Sequence, residues 1–296
     1  MKTISYISIL LLMFGCAAEE TPPAETEAEA EMAATTLSLV DALTFHASFD
    51  TGPDADFARG DKTLYTAASY DEQASATAGI GNPDVSLNNA SGRFGGSLTF
   101  GAKNTQAIFF KAADNVAYSP SGWSGTASFW LSLDPAVDLE PGFCDPIQLT
   151  DSSYNDAAVW VDFTGENPRQ FRLGVFGDLH AWNPDELASQ DFPFFGERLV
   201  VVEPHPFEAG AWTHVVITYS GLGAEGGSAN LYIDGVAQPK TASGIAEPFT
   251  WDEAGSIRLG INYVGGYDEL ALFDRALSAA EVGELHALER GVTELY

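Results

Sequence analysis

The chain has 296 residues, with 13 basic against 42 acidic side chains and a formal net charge of −29. Phosphate binding needs clustered Lys and Arg, so this balance excludes a nucleic-acid partner and disfavours a grip on anionic lipid headgroups. It suits divalent cations or neutral sugars as ligands.

The N-terminus reads as a targeting segment over residues 1–15. Lys2 precedes the apolar run ISYISILLLMFG, which is too short to span a bilayer comfortably. Cys16 follows in LMFGC, which resembles a bacterial lipobox, although Met13 and Phe14 depart from the usual residues. This predicts a signal peptide cut before Cys16 and lipid on that cysteine; an ordinary secretory signal and an uncleaved anchor are the alternatives. Buried acyl chains contribute about 0.8 kcal/mol per methylene, so multiple acylation holds a protein on a bilayer without a spanning helix. The expected place is the cell envelope, reached through the lipid alone, and Ala17 after the cysteine leans toward the outer membrane or cell surface. Residues 16–36 are rich in Glu, lack Lys and Arg and contain a Pro pair. Such a stretch buries too little apolar surface to offset its chain entropy, so a disordered spacer is expected.

From Leu37 onward short alternating runs are divided by Gly, Asn, Asp and Pro. They predict strands at 44–50, 97–100, 107–112, 125–133, 157–163, 171–177, 198–203, 213–220, 229–235, 256–261 and 267–274. Many short strands without βαβ alternation point to an all-β, antiparallel two-sheet sandwich forming one domain over 37–296. One short C-terminal helix is expected: Ser278 and Glu281 make a capping box, Val282, Leu285 and Leu288 follow at helical spacing, and Gly291 is a stop.

The segments GAWTHVVITYS, ANLYIDGVAQ and IRLGINYVGGYDELALFDRALSAAEV, with FHASFD and ASGRFGGSLTF earlier, resemble the laminin-G-like, concanavalin A-like lectin/glucanase jelly roll. The resemblance runs over about 44–290, with Ser97 where Ala is more usual, and the stretch 134–206 fits it poorly and reads as an insertion. It implies two antiparallel sheets, one with a concave face, and carbohydrate binding as the expected work.

Strand alternation puts Asp268 on one face with Leu270, Leu272 and Asp274, and Glu269 on the other with Tyr267, Ala271 and Phe273. Retaining glycosidases need two carboxylates roughly 5 Å apart on one face. The related glucanases place acids at i, i+2 and i+4; here Leu270 and Leu272 occupy those places, so the motif is absent. The resemblance also places the first strand beside the last, so Asp50 and Asp268 could meet and hold a structural calcium, with Asp54, Asp56 and Asp61 nearby. Turn capping by these acids is the alternative. Cys144 reads as a lone buried thiol, and His214 as a hydrogen-bonded structural residue.

Exposed aromatics point elsewhere. Alternation sets Trp130 outward from the apolar face of its strand, Trp160 and Asp162 outward from Val159, Val161 and Phe163, and Arg172 and Phe176 outward from Phe171, Leu173 and Val175. If these strands are neighbours, Trp130, Trp160, Asp162, Arg172 and Phe176, with Trp182 from the following stretch, form a platform for a polysaccharide or other glycan: flat rings take sugar C–H faces while charged groups bond hydroxyls. The alternative is that the aromatic stretch between Gly177 and Arg198 covers this face as a second core, or walls a cleft. A glycan-binding, lectin-like module is therefore expected. A polysaccharide hydrolase or lyase, and an adhesion or scaffold module, are the other readings of the same fold.

Overall fold

Strands form where β-branched and aromatic residues alternate with small or polar ones and a Gly or Asp ends the run. A computed structural model describes residues 27–296 other than 104–105, 186, 189–190 and 193. In chain order the elements begin with α1 (Glu27–Ala42), β1 (Leu43–Ala47), β2 (Phe57–Ala58), β3 (Tyr65–Ala67), β4 (Thr77–Ala78), β5 (Val85–Asn88), β6 (Ser97–Phe100) and β7 (Ala107–Lys111). Then come β8 (Trp123–Ser132), β9 (Cys144–Thr150), β10 (Ala158–Phe163), β11 (Phe171–Phe176), α2 (Leu179–Trp182) and β12 (Leu199–Val202). The chain finishes with β13 (Thr213–Leu222), β14 (Ser228–Ile233), β15 (Val236–Ser243), β16 (Ser256–Ile261), β17 (Gly265–Phe273) and α3 (Ala279–Ala287).

Two antiparallel sheets face each other, as the strand pattern predicts. One runs β15-β14-β13-β8-β17-β1-β2, with β6 also on β17 and β5 on β6; the other runs β12-β11-β10-β9-β16-β7-β3-β4. Between them lies one core, in which Phe129, Leu131 and Ile217 of the first sheet meet Val159, Val161, Leu173 and Ile257 of the second. Each such side chain contributes roughly 1.5–3 kcal/mol when fully buried.

The outer faces differ. That of the first sheet is covered by α1, α3 and the C-terminal residues, through Leu39, Ala42, Phe273, Val282, Leu285 and Val292. The predicted capping box starts α3: Ser278 Oγ accepts the Glu281 N–H at 3.3 Å and the Glu281 carboxylate accepts the Ser278 N–H at 2.8 Å. The helix α1 takes in residues 27–36, which the composition had assigned to a disordered spacer. Ala, Glu, Met and Leu are strong helix formers, and the sheet supplies a surface for Leu39 and Ala42. No helix among the described residues is long and apolar enough to cross a membrane. The signal segment 1–15 and Cys16 lie outside the described residues.

The stretch 134–206, expected as an insertion, supplies β9, β10, β11 and β12 and so half of the second sheet. In the connection after β11, Trp182, Phe192, Phe194 and Phe195 pack with Trp160 and Phe176 on the outer face of that sheet.

Candidate functional site

The covering is partial. Beside the aromatic cluster, on the outer face of β9–β11, a cavity of about 620 Å³ is lined by Phe143, Asp145, Tyr154, Asn155, Trp160, Asp162, Arg172, Leu187, Ala188 and Phe195. Strand alternation builds its floor. Val159 and Val161 point into the core, so Trp160 and Asp162 point out, and the β10–β11 register sets Asp162 directly opposite Arg172. The guanidinium is a bidentate donor to that carboxylate, with Nε to Oδ1 at 2.8 Å and Nη2 to Oδ2. It also lies 5.2 Å from the ring centroid of Phe143 and 5.8 Å from that of Trp160.

Asp145 arrives by a bulge. Val161 pairs with Ile147 and Phe163 with Cys144, so β9 carries one extra residue opposite Asp162. Asp145 and Gln148 therefore both face outward despite their odd spacing, and the Gln148 amide donates to Asp145 Oδ2. Burial, then the neighbouring Asp162, pushes the Asp145 carboxyl up to about 8. Burial raises Asp162 too, with Arg172 pulling the other way. Cys144 is buried and its thiol is pushed up to about 12 by burial and by Asp145, which leaves it inert as a nucleophile.

The rim is aromatic and open. Phe143 is 57% exposed and Tyr154 46% exposed. The loop that presents Tyr154 is held from below: Trp160 donates its indole N–H to the Tyr154 carbonyl, and Trp182 donates its own to the Asn155 carbonyl at 2.9 Å. The site thus joins two accessible rings, a fixed ion pair and a second buried acid in one concavity, a composition suited to a polyhydroxylated ligand.

The structure brings Trp160, Asp162 and Arg172 together as the alternation predicts, but splits the rest of the platform. Trp130 belongs to the other sheet, because β8 pairs with β13 and β17, while β9, the next strand, pairs with β10 and β16. Its ring stacks on His214 at 4.6 Å and on His286 at 5.4 Å. His214, bonded to Ser128 at 2.8 Å, is wholly buried, and burial drives its pKa down to about 3. Phe176 and Trp182 are buried in the covering cluster and offer no open face. Trp160 itself is 2% exposed, a floor and not a stacking platform. Phe143, Asp145, Tyr154 and Asn155 were missed; the aromatic residues beside Gly142 and within the turn at 151–156 were the available signal.

Asp50 and Asp268 do meet the same element, the turn 92–96 before β6. Asp50 Oδ1 accepts the Gly96 N–H at 2.6 Å, Asp268 Oδ2 accepts the Phe94 N–H at 3.1 Å, and Asp268 Oδ1 accepts the Glu269 N–H at 2.8 Å. Among the described residues no group of three or more His, Cys, Asp or Glu stands close enough to share a metal ion. These two carboxylates are engaged by backbone amides, the arrangement of the turn-capping alternative. The expected alternation at this strand also fails: a bulge between Asp268 and Ala271, with Glu269 at φ +54, turns both Tyr267 and Leu270 into the core. Glu269 instead meets His46 at 3.3 Å and accepts the Val292 N–H at 2.7 Å.

Comparison with known proteins agrees with this architecture. No curated protein matches the sequence. Among solved structures, domain 4 of AbnA, a GH43 extracellular arabinanase from Geobacillus stearothermophilus in complex with arabinotriose, is similar at a TM-score of 0.50 and 17% identity, over 82% of this chain and 97% of that one. The ligand-binding domain of botulinum neurotoxin serotype D, in complex with N-acetylneuraminic acid, is similar at 0.53 and 11%, over 86% of this chain and 52% of that one. The receptor-binding domain of the botulinum neurotoxin C/D mosaic serotype is similar at 0.56 and 11%, over 84% and 51%. The chain thus spans about half of the toxin domains, and at these identities the likeness is one of fold. A family model for the concanavalin A-like lectin/glucanases superfamily matches residues 103–283, which run from before β7 to beyond β17 and include every strand of the cavity. With more than half of its length matched, the chain belongs to the concanavalin A-like lectin/glucanases superfamily.

Proposed function

We propose that the protein is a lectin-like module that binds a glycan in the cavity on β9–β11. The observation that carries this is the pairing of two exposed rings, Phe143 and Tyr154, with the Asp162–Arg172 pair and Asp145 in one concavity. Sugar rings lay their C–H faces on such rings, and the ion pair offers donors and acceptors in fixed directions. Support also comes from two fold relatives whose structures hold arabinotriose and N-acetylneuraminic acid. We infer further, from LMFGC alone, that lipid on Cys16 holds the module at the cell envelope. The test of binding is a broad glycan array probed with the protein and with a Phe143→Ala/Tyr154→Ala variant. Retention of one or more glycans by the first and loss by the second is expected; no retention of any glycan would end this reading.

A second reading, glycoside hydrolysis, is favoured by one observation: two acids, Asp145 and Asp162, do converge in the cavity. Glycosidases use one protonated and one ionised carboxyl. Against it, both oxygens of Asp162 are occupied by Arg172, which blunts a nucleophile or base. Release of new reducing ends from a glycan retained on the array would favour hydrolysis over simple binding.

A further inference from the structure

The cavity holds two carboxylates against one guanidinium. Arg172 is committed to Asp162 through two hydrogen bonds. Asp145, 8% exposed and lining the cavity, keeps only the Gln148 amide on Oδ2, and among the described residues no donor reaches its Oδ1. The other titratable groups around it supply no free cation. Cys144 faces the core, Tyr70 carries no positive charge, and Arg258 stacks on Tyr70 at 4.3 Å and donates to the Ser152 carbonyl. A buried carboxylate without a cation is costly to ionise, and a ligand that brings the missing charge removes that cost.

We propose, resting on the glycan-binding reading above, that the preferred ligand is a sugar carrying a free amine, with its ammonium seated against Asp145 and its ring faces on Phe143 and Tyr154. An ammonium brings one positive charge and three donors, so it meets the open Oδ1 and leaves the cavity with two cations for two acids. A neutral N-acetyl sugar lacks that charge, and an anionic sugar meets the surplus acid and a chain of net charge −29. Burial raises the Asp145 carboxyl, so an ammonium seated there takes the place of the proton that burial favours. Affinity is therefore expected to be highest between the titration of the acid and that of the amine, and to fall on either side.

The experiment is calorimetric titration of the full chain with three probes: an oligomer of glucosamine, its fully N-acetylated counterpart and an oligomer of galacturonic acid. The glucosamine oligomer is expected to bind on the order of tenfold or more tighter than the acetylated one, and the uronic acid oligomer not at all. Asp145→Asn should erase the preference, bringing the affinities for the two oligomers together. Should that variant fail to fold, the wild type decides by salt: affinity for the glucosamine oligomer falls with ionic strength and that for the neutral oligomer does not. Equal affinities for the two oligomers, or a salt-insensitive preference, overturns the proposal. Absence of glucosamine binding overturns it as well; the wider glycan reading survives that outcome when another glycan is retained on the array and falls when none is.

Discussion

The indole N–H of Trp160 is donated to the backbone carbonyl of Tyr154, so a buried floor residue holds the ring at the cavity rim in place. The two aromatics therefore differ in role. Trp160 is 2% exposed and packs with Phe176 at 6.1 Å, and its truncation to Ala is expected to cost about 3–5 kcal/mol of stability. Tyr154→Ala at the rim should change stability by no more than about 0.5 kcal/mol while weakening glycan binding about tenfold. Urea melts of both variants, with binding measured on each, separate the roles; a Trp160→Ala protein as stable as wild type contradicts the assignment.

What could be read from the chain was what period-two alternation carries. On β10 and β11 every residue faces as the pattern predicts, which is why Asp162 and Arg172 were found. The failures share a cause. Asp145 lies within a bulge of β9, a strand that the pattern did not reveal, and Glu269 lies within the bulge after Asp268, where alternation was counted across an extra residue. Trp130 failed for a different reason: local pattern says which way a side chain points from its strand, and not which sheet takes that strand. Phe143 and Tyr154 sit in turns, where no period exists to reveal them.

Stability should decline from mildly acid to mildly alkaline pH. Asp268 is fully buried, and burial, then Glu269, pushes its carboxyl up to about 8; Asp145 is also pushed up to about 8. Unfolded, both titrate near 4. Between these values the folded state holds protons that the unfolded state has lost, so the stability they contribute is full below about pH 4 and is lost as pH rises through about 8. Glu281, pulled down to about 2 by Arg275, acts oppositely: its contribution stands above about pH 4.5 and is lost as pH falls through about 2. An optimum near pH 4–5 follows. Urea melts at intervals from pH 3 to 9 check it, and Asp145→Asn should flatten the upper limb; a wild-type limb that is flat from pH 5 to 8 contradicts the assignment.

Asp50 and Asp268 act as acceptors for the amides of the 92–96 turn. Millimolar calcium is therefore expected to leave the melting temperature where a chelator leaves it. Asp50→Ala should instead lower it, since Gly96 loses its acceptor, by an amount near that of a lost cap, about 1 kcal/mol. A rise in melting temperature with calcium that Asp50→Ala abolishes would restore a metal to this place.

Lipid on Cys16 predicts behaviour in cells. The wild type should partition with membranes, and Cys16→Ser, which cannot take the lipid, should move to the soluble fraction. Fractionation of both forms is the measurement; continued membrane association of Cys16→Ser removes the anchor.

Gly174 faces Trp160 directly across the β10–β11 pair. A Cβ there would stand 2.1 Å from Cζ2 of the indole, and the ring has little room to retreat because Phe176 stacks beyond it. Gly174→Ala should therefore cost about 1–3 kcal/mol through overpacking, although Ala is otherwise the better strand residue. It should also weaken glycan binding, since any shift of the indole drags the Tyr154 carbonyl with it. The two effects can be assigned to one contact by a double-mutant cycle. On a Trp160→Ala background the clash is gone, so adding Gly174→Ala should cost nothing further or restore about 0.5–1 kcal/mol by reducing backbone entropy in the unfolded chain. Additive losses in the double variant would show that the alanine disturbs β11 by some route other than the indole, and the tie between cavity floor and rim would lose its support.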